Sequence, residues 1–382
     1  MRRSFCRARR DALLVAFVVA GSLLEGGCYV PPPVPEVPSW LDAARTGQTP
    51  SAEEEGLARE ADESLARVVE EDGLVENDSF DRYLTGIVAR LIPELPAAAP
   101  TLTPRVYAAV ERNAFALPNG AILVTAGLLV ELENEAQLAF LLGHEAAHVL
   151  LRHQLLDERF GAETDSHVDR MWLSRHLEDE ADELGFALVT SAGYAPDEAA
   201  RMLRHVRDDR PPAWARVTSW DSHFEAEVRI RAMRVRARRL VREGRAGDVV
   251  RREAFLEAQD GVRLAVAELT LEEGHADRAR ELVDRHLTRH PDSARAYWLR
   301  AEITRAVDAA GRRAPTVRSD YERAIELAPA DADAHRALGL LLRDLREPDA
   351  ARPHLERYLE LRPEAVDRRL IERYLAPRDA SP

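Results

Sequence analysis

A largely apolar stretch in the middle of the chain carries two histidines and a glutamate. The stretch, Phe140 to Leu151, contains no proline, and only Gly143 disfavours a helix, so we predict that it is helical. His144 and His148 are four residues apart, which places both imidazoles on one helix face, where they can bind one zinc ion. Glu145 directly follows the first histidine, and its carboxylate can act there as a general base toward water. The pattern predicts a zinc-dependent hydrolase, which needs a third protein ligand.

Acidic residues that begin thirty positions after His148 supply the candidates for that ligand. Glu178 and Asp182 lie four residues apart at the start of a second predicted helix, and therefore on one face. One carboxylate could bind zinc while the other orients a ligand histidine. Two histidines and one carboxylate would leave the fourth position open for water, as in catalytic zinc sites, whereas closed structural sites favour cysteine. The alternative is that both acids belong to the solvated face of a helix in an acidic protein.

Several motifs, in the same order along residues 51–240, resemble the zinc metallopeptidases of family forty-eight. The matching segments are Asn113 to Gly120 with the strand that follows, Leu142 to Val149, and Glu178 with Ala181-Asp182. The resemblance implies an α+β, zincin-like domain with a small β-sheet and one zinc ion per chain. The ligands that it implies are His144, His148 and Glu178, with Asp182 behind them.

The resemblance also implies where a substrate binds. In the family, an extended substrate lies against the edge of a strand, which is a form of strand addition. The residues of that strand in this chain are Asn113, Ala114, Phe115 and Ala116.

Two further residues are implied to be catalytic by the same resemblance. Ser222-His223 and Arg229 resemble the family's His-Pro segment and its downstream arginine, with Phe224 in place of the proline. In the family these side chains lie over the zinc, where they regulate access or stabilise the oxyanion formed at the peptide carbonyl. By contrast, His153 comes five residues after His148, so we predict that it faces away from the site.

Proline spacing distinguishes the last third of the chain. Pro291, Pro329 and Pro363 each close a predicted helical stretch, and the interval of 34 residues from the second to the third equals the tetratricopeptide period. Leu338-Gly339 matches an internal position of that repeat. We predict about three repeats over residues 261–375, and the alternative is an unrelated helical bundle.

The complete chain is therefore predicted to be mainly α-helical. A metallopeptidase domain over residues 51–245 is followed by a linker helix over 246–260, the tetratricopeptide solenoid over 261–375 and a tail over 376–382. A proline-rich tether over residues 28–50 precedes the metallopeptidase domain.

The N-terminus has the layout of an exported protein. Several arginines precede an apolar run, Ala12 to Leu24, which is followed by Gly26-Gly27-Cys28. The run is shorter than the roughly 20 residues that cross a bilayer, so we predict a signal peptide over residues 1–27. The small residues before Cys28 resemble a bacterial lipobox, which implies lipidation of Cys28. We therefore predict a periplasmic protein with a lipid anchor in a bacterial outer membrane; Arg2-Arg3 leaves twin-arginine export as an alternative route.

The charge balance excludes a general nucleic-acid binder. There are 53 basic residues, all arginine, against 67 acidic ones, so the net charge is −14. Binding to phosphate backbones depends on an excess of positive charge. The two cysteines, Cys6 and Cys28, both lie near the start, so no disulfide framework holds the body of the chain together.

These features predict a zinc endopeptidase of the bacterial cell envelope that acts on misfolded or extended proteins. The combination of domains is most similar to the periplasmic branch of the family, whose members carry C-terminal tetratricopeptides. The repeats would bind the substrate or an envelope assembly partner. The alternative is a tetratricopeptide chaperone or assembly adaptor whose zinc domain has little turnover, although an intact Glu145 argues against it.

Overall fold

A computed structural model describes residues 33–71, 73–164, 166–206, 226–308, 311 and 313–376. The predicted signal peptide, Cys28, His223 and residues 377–382 of the predicted tail lie outside these ranges. The described part is mostly helical and contains one small sheet, which confirms the predicted fold class. None of its helices is both long and apolar enough to cross a lipid bilayer.

Capping residues account for where the first long helices begin. Ser51 and Glu54 form the capping box that starts the second helix, and Asn77 accepts a bond from the backbone N–H of Phe80 at the start of the third. The elements up to residue 242 are, in chain order, α1 (Trp40–Thr46), α2 (Ala52–Glu70), α3 (Asp78–Leu91), β1 (Thr103–Tyr107), β2 (Ala114–Ala116), β3 (Ala121–Thr125), α4 (Ala126–Leu129), α5 (Glu135–Leu150), α6 (His153–Glu163), α7 (His167–Ser191), α8 (Asp197–Met202) and α9 (Ala226–Arg242).

The sheet has the strand order β1-β3-β2. Strand β3 is parallel to β1 and antiparallel to β2, and a turn over residues 118–120 joins β2 to β3. Strand β1 begins at Thr103 and ends at Tyr107. Strand β2 therefore lies at an edge of the sheet, and it packs against α5.

A buried glutamate anchors the start of α5. The carboxylate of Glu135 accepts hydrogen bonds from the hydroxyls of Tyr83 at 2.7 Å and Tyr194 at 2.6 Å, and from Arg90 at 2.8 Å. Burial and the bond to Glu135 raise the pKa of Tyr194 to about 12, so its hydroxyl stays a donor at neutral pH. These bonds fix the helix that carries the two histidines relative to α3.

The last third consists of successive helix pairs. Its helices are α10 (Arg252–Glu272), α11 (Ala276–Arg289), α12 (Ala294–Val307), α13 (Ala314–Leu327), α14 (Ala332–Asp344), α15 (Pro348–Leu361) and α16 (Arg368–Leu375). Pro291, Pro329 and Pro363 each follow the residue that caps the end of a helix, as the spacing predicted. Helices α10 and α11, α12 and α13, and α14 and α15 pack against each other in pairs.

Helix α10 connects the helix pairs to the rest of the molecule. It packs against α3, α4 and α5, and its Phe255, Val262 and Val266 belong to the same hydrophobic core as the interior of α5. The helix is continuous across residues 260 and 261, where the sequence predicted a boundary between linker and repeats. The first helix pair is therefore held against the helix that carries His144 and His148.

Candidate metal centre

Helices α5 and α7 approach each other closely where the chain has glycines. A Cβ atom on Gly185 would lie 2.9 Å from the backbone nitrogen of His144, and one on Gly143 would lie 3.4 Å from the carbonyl oxygen of Gly185. The first of these separations is shorter than real Cβ contacts allow, so a side chain at residue 185 would force the helices apart. The absence of a side chain at Gly185 allows the side chains of α7 to reach those of α5.

The close approach brings His144, His148 and Glu178 together. The Nε2 atoms of the two histidines are 3.1 Å apart, Nε2 of His144 is 3.5 Å from Oε2 of Glu178, and Nε2 of His148 is 3.6 Å from Oε1. Ligands about 2.0–2.2 Å from a zinc ion in tetrahedral coordination are about 3.3–3.6 Å from one another. The three side chains thus have the chemistry and the spacing of a zinc site, and all three are buried.

The formal charges around the cluster also fit a divalent cation. Glu145, Glu178 and Asp182 contribute three negative charges, and Arg229 contributes one positive charge, all on side chains that are at most 4% exposed. When both imidazoles are neutral, as metal binding requires, the sum is −2. Because a buried charge is costly unless it is compensated, this site favours an ion of charge +2.

The neighbouring groups set the protonation of the histidines. Burial lowers the pKa of His144, but its contacts with Asp182 and Glu178 outweigh burial and raise the pKa to about 9. Burial and the nearby His144 hold the pKa of His148 well below its usual range. Burial opposes the charged form of Asp182, yet Arg229 lowers its pKa to about 2. Asp182 is therefore an anion at neutral pH and can accept a bond from Nδ1 of His144, 3.1 Å away.

Arg229 lies in the cluster beside the candidate ligands, with one terminal nitrogen 3.5 Å from Nε2 of His144. Its Nε and one terminal nitrogen donate to the two oxygens of Asp182 at 2.8 and 2.7 Å, and its other terminal nitrogen is 2.6 Å from Oε2 of Glu178. All three nitrogens of the guanidinium are bonded to carboxylates. The guanidinium therefore holds the two acids of α7 in place, and the action on an oxyanion that the resemblance implies for it stays a prediction.

The prediction that His153 faces away from the site is wrong. In a continuous helix, five residues turn the side chain about 140° away from that of His148. Helix α5 ends at Leu150, however, and Arg152 adopts a left-handed backbone conformation with φ of 61°. The chain therefore turns before His153, and Nδ1 of His153 lies 2.9 Å from Nδ1 of His148.

Contacts with the N-terminal segment stabilise this turn. The Arg152 guanidinium bonds the carboxylate of Glu54, donates to the carbonyl of Pro38 at 2.9 Å and lies over the ring of Trp40, 4.4 Å from its centroid. A non-glycine residue in the left-handed region costs about 1–2 kcal/mol, which such contacts can offset. No local pattern in the sequence indicates this turn, since Arg has no preference for it.

The predicted substrate strand coincides with β2 and the residue before it. Backbone hydrogen bonds to β3 involve Asn113 and Leu117, so by alternation the N–H and C=O groups of Ala114 and Ala116 point away from β3. The N–H of Ala114 donates to Oδ1 of Asn113 at 2.9 Å, and Nε2 of Gln154 donates to the carbonyl of Ala116 at 3.4 Å. Side chains of the protein itself therefore bond two backbone groups of this edge.

A second cluster of potential ligands has the wrong charge for a cation. Asp260 on α10 lies near His286 and His290 at the end of α11. Arg289 donates to one oxygen of Asp260 at 2.7 Å, and Arg263 bonds the other. Two guanidinium groups thus surround one carboxylate. The cluster is an ion-pair network that joins α10 to α11.

The role of Gly185 can be tested by substitution. We expect Gly185→Ala to lower the free energy of unfolding by about 1–3 kcal/mol and to weaken zinc binding, because the new methyl group forces α7 away from His144. Urea unfolding and competition with a chelator would measure both effects. The control is Gly86→Ala on α3, where the nearest atom to a new Cβ is 3.8 Å away. If both variants had the same stability and zinc affinity, the close contact between α5 and α7 would not be required for zinc binding.

Two mitochondrial proteins share similarity with part of the chain. Over 103 residues it is 37% identical to "Mitochondrial metalloendopeptidase OMA1" of Arabidopsis thaliana, which covers 22% of this chain and 21% of the relative. Over 110 residues it is 30% identical to the protein of that name from Saccharomyces cerevisiae, which covers 24% and 32%. The chain thus spans between about a fifth and a third of the length of these relatives.

The predicted location of the protein is wrong. It was inferred to be the periplasm of a bacterium, with an anchor in the outer membrane, but these relatives are mitochondrial proteins of eukaryotes. The inference depended on an arginine-rich start, an apolar run and the small residues before Cys28 that resemble a lipobox. Arginine is also abundant in mitochondrial targeting segments, so this composition does not identify a compartment.

Solved structures with some similarity to the chain include a complex of a tetratricopeptide protein. The "TPR2AB-domain:pHSP90-complex of yeast Sti1" aligns with 63% of this chain and 92% of its own, at 11% identity and a TM-score of 0.28. A score this low does not support a statement about the fold.

A family model matches the segment that carries the two histidines. The model described as Peptidase family M48 matches residues 79–161, from α3 through β1, β2, β3 and α5 into α6. Glu178 and Arg229 lie outside the matched segment, and they meet it through the packing of α7 and α9. The segment with His144, Glu145 and His148 belongs to peptidase family M48.

Proposed function

We propose that this protein is a zinc-dependent endopeptidase that cleaves extended segments of misfolded proteins. The observation that carries the proposal is the convergence of His144, His148 and Glu178 on one point, with the carboxylate of Glu145 on the same buried helix. Two relatives of part of the chain, which are named metalloendopeptidases, support the same class of reaction. Peptidases of this kind depend on a bound metal ion and a general base.

Each side chain of the cluster has a role in this proposal. Nε2 of His144, Nε2 of His148 and the carboxylate of Glu178 would hold the zinc ion. Zinc, when bound, polarises the scissile carbonyl and lowers the pKa of the attacking water. Glu145 would take a proton from that water and pass it to the nitrogen of the leaving amine.

Two further groups would keep the ligands in position. Asp182 accepts a bond from Nδ1 of His144, which keeps Nε2 of that ring directed toward Glu178. Arg229 holds the carboxylates of Asp182 and Glu178 by ion pairs. His223 lies outside the described residues, and its predicted role is still to regulate access to the zinc or to stabilise the oxyanion.

Strand β2 supports an extended peptide as substrate. It lies at the edge of the sheet and packs against α5, which carries Glu145. A substrate in strand conformation would replace the bonds that Asn113 and Gln154 make to Ala114 and Ala116. Unfolded and misfolded proteins offer such strands, because their backbone groups are not engaged in secondary structure.

The proposed division of the chain is a metallopeptidase domain over residues 51–245 and helical repeats over 261–375. We propose that the repeats bind the substrate or a partner protein, since stacked helix pairs present extended surfaces to other chains. The shared core of α10 and α5 supports this role, because it keeps the first helix pair in a constant position relative to the metal centre.

The test combines metal content with cleavage of a reduced and alkylated, permanently unfolded protein. We expect wild-type protein to bind about one zinc ion per chain and to cleave. Loss of a residue that only orients a metal ligand typically lowers metal affinity by roughly 10–100-fold. Glu178→Ala removes a proposed ligand itself, so it should lower zinc affinity by at least this factor, and cleavage should fall with it. Glu183→Ala, on the same helix with a side chain that is 78% exposed, is the control.

Two results would contradict the proposal. Stoichiometric zinc in Glu178→Ala would exclude Glu178 as a ligand. A wild-type protein that holds zinc but cleaves no unfolded protein would favour the adaptor with little turnover.

A further inference from the structure

The buried contact between His148 and His153 has no role in the function proposed above. The two Nδ1 atoms are 2.9 Å apart, and His153 is completely buried. On its other side, Nε2 of His153 lies 3.5 Å from Oε2 of Glu180, a residue of α7. The three side chains thus form a row that begins at a candidate ligand and ends at a carboxylate.

The direction of the hydrogen bonds in this row follows from the chemistry of imidazole. A contact between two ring nitrogens at this distance requires that one carries a proton and the other offers a lone pair. If His148 binds a metal ion through Nε2, the ring must be neutral and its proton must lie on Nδ1. Nδ1 of His148 then donates to Nδ1 of His153, whose own proton lies on Nε2 and points toward Glu180.

We infer that His153 is a positioning residue for the metal ligand His148, with Glu180 as the group that orients His153. This inference rests on the proposed zinc site. His153 would fix the tautomer and the ring orientation of His148 without contact to substrate or metal.

The two ligand histidines are supported in different ways. Nδ1 of His144 is 3.1 Å from Oδ1 of Asp182, so this ring meets a carboxylate directly. His148 reaches a carboxylate only through His153. In both cases a carboxylate supports the imidazole, as is usual for metal-binding histidines.

The turn at Arg152 makes this arrangement possible. The turn ends α5 and starts α6 at His153, so the imidazole of His153 lies on the same side as that of His148. Helix α7 then supplies both Glu178, which lies at Nε2 of His148, and Glu180, which lies at Nε2 of His153. One helix therefore contacts both rings.

The test measures zinc affinity by chelator competition at constant pH, together with the visible spectrum of the cobalt-substituted protein. We expect His153→Phe, which removes both ring nitrogens, to weaken zinc binding by about 10–100-fold and to shift the cobalt bands. His153→Asn, whose Oδ1 can replace Nδ1 as an acceptor, should restore most of the affinity. The control is His176→Phe, because His176 lies 3.8 Å from the same Glu180 and has a half-exposed side chain that does not contact His148.

A further variant covers the case in which the buried substitution prevents folding. Glu180→Gln changes a half-exposed residue and keeps its shape, and we expect it to weaken zinc binding several-fold. Unchanged affinity in His153→Phe, or in Glu180→Gln where His153→Phe does not fold, would overturn the inference. A wild-type protein without bound zinc would instead contradict the proposed zinc site, so the two failures are distinguishable.

Discussion

Replacement of Glu145 by glutamine is expected to reduce cleavage of an unfolded protein by about 10²–10⁴-fold while zinc binding is retained. Glutamine has the shape of glutamate but cannot accept a proton from the attacking water at neutral pH, and general base catalysis typically contributes this factor. Glu145 is buried on α5 between the two histidines in sequence, yet it is not one of the three residues whose ligand atoms converge. This variant should therefore keep the zinc content of the wild type while its rate of cleavage falls.

The measurement compares initial cleavage rates and zinc per chain for wild type, Glu145→Gln and Glu183→Gln. The last variant makes the same chemical change on the exposed side of α7 and should behave as wild type. Cleavage at the wild-type rate by Glu145→Gln would mean that another group activates the water. Loss of zinc in this variant would place Glu145 among the ligands.

Replacement of Arg229 by methionine is expected to lower the free energy of unfolding of the zinc-free protein by about 3–5 kcal/mol. The substitution removes the cation that faces Asp182 and Glu178, and loss of one partner from a buried ion pair leaves the other charge uncompensated. Zinc supplies positive charge to the same carboxylates, so saturating zinc should recover part of the loss. Urea unfolding with and without zinc would measure this difference.

Arg236→Met, on the same helix, is the matched control. Arg236 forms a long ion pair, 3.9 Å, with the exposed Glu183. Exposed ion pairs contribute about 0–1 kcal/mol to the free energy of unfolding. If Arg229→Met is as stable as this control but cleaves much more slowly, then Arg229 acts on the substrate, as the family resemblance implies. If Arg229→Met loses stability and zinc partly restores it, then Arg229 stabilises the carboxylates of Asp182 and Glu178.

The parts of the site that lie within one helix could be predicted without coordinates. His144 and His148 face the same side of α5, and Glu178 and Asp182 the same side of α7, because helical periodicity relates residues four apart. The helix that starts after Ser51 follows from its capping residues in the same way.

The relations between helices could not be predicted in this way. The contact of His153 with His148 needs a left-handed residue at position 152, and this residue is stabilised by Glu54, far away in sequence. Arg229 reaches Asp182 across 47 positions of chain, and although the family resemblance singles out Arg229, no local pattern indicates that it pairs with Asp182. Gly185 stands out only when the backbone of His144 is seen beside it.

Local periodicity and capping are thus enough to propose a two-histidine, one-carboxylate metal centre in this chain, because these effects act over four residues or fewer. The packing of α5, α6, α7 and α9 determines which other groups contact the three candidate ligands, and their charges and hydrogen bonds set the properties of the centre. Those contacts depend on burial and on long-range ion pairs, which form only when distant segments share one core.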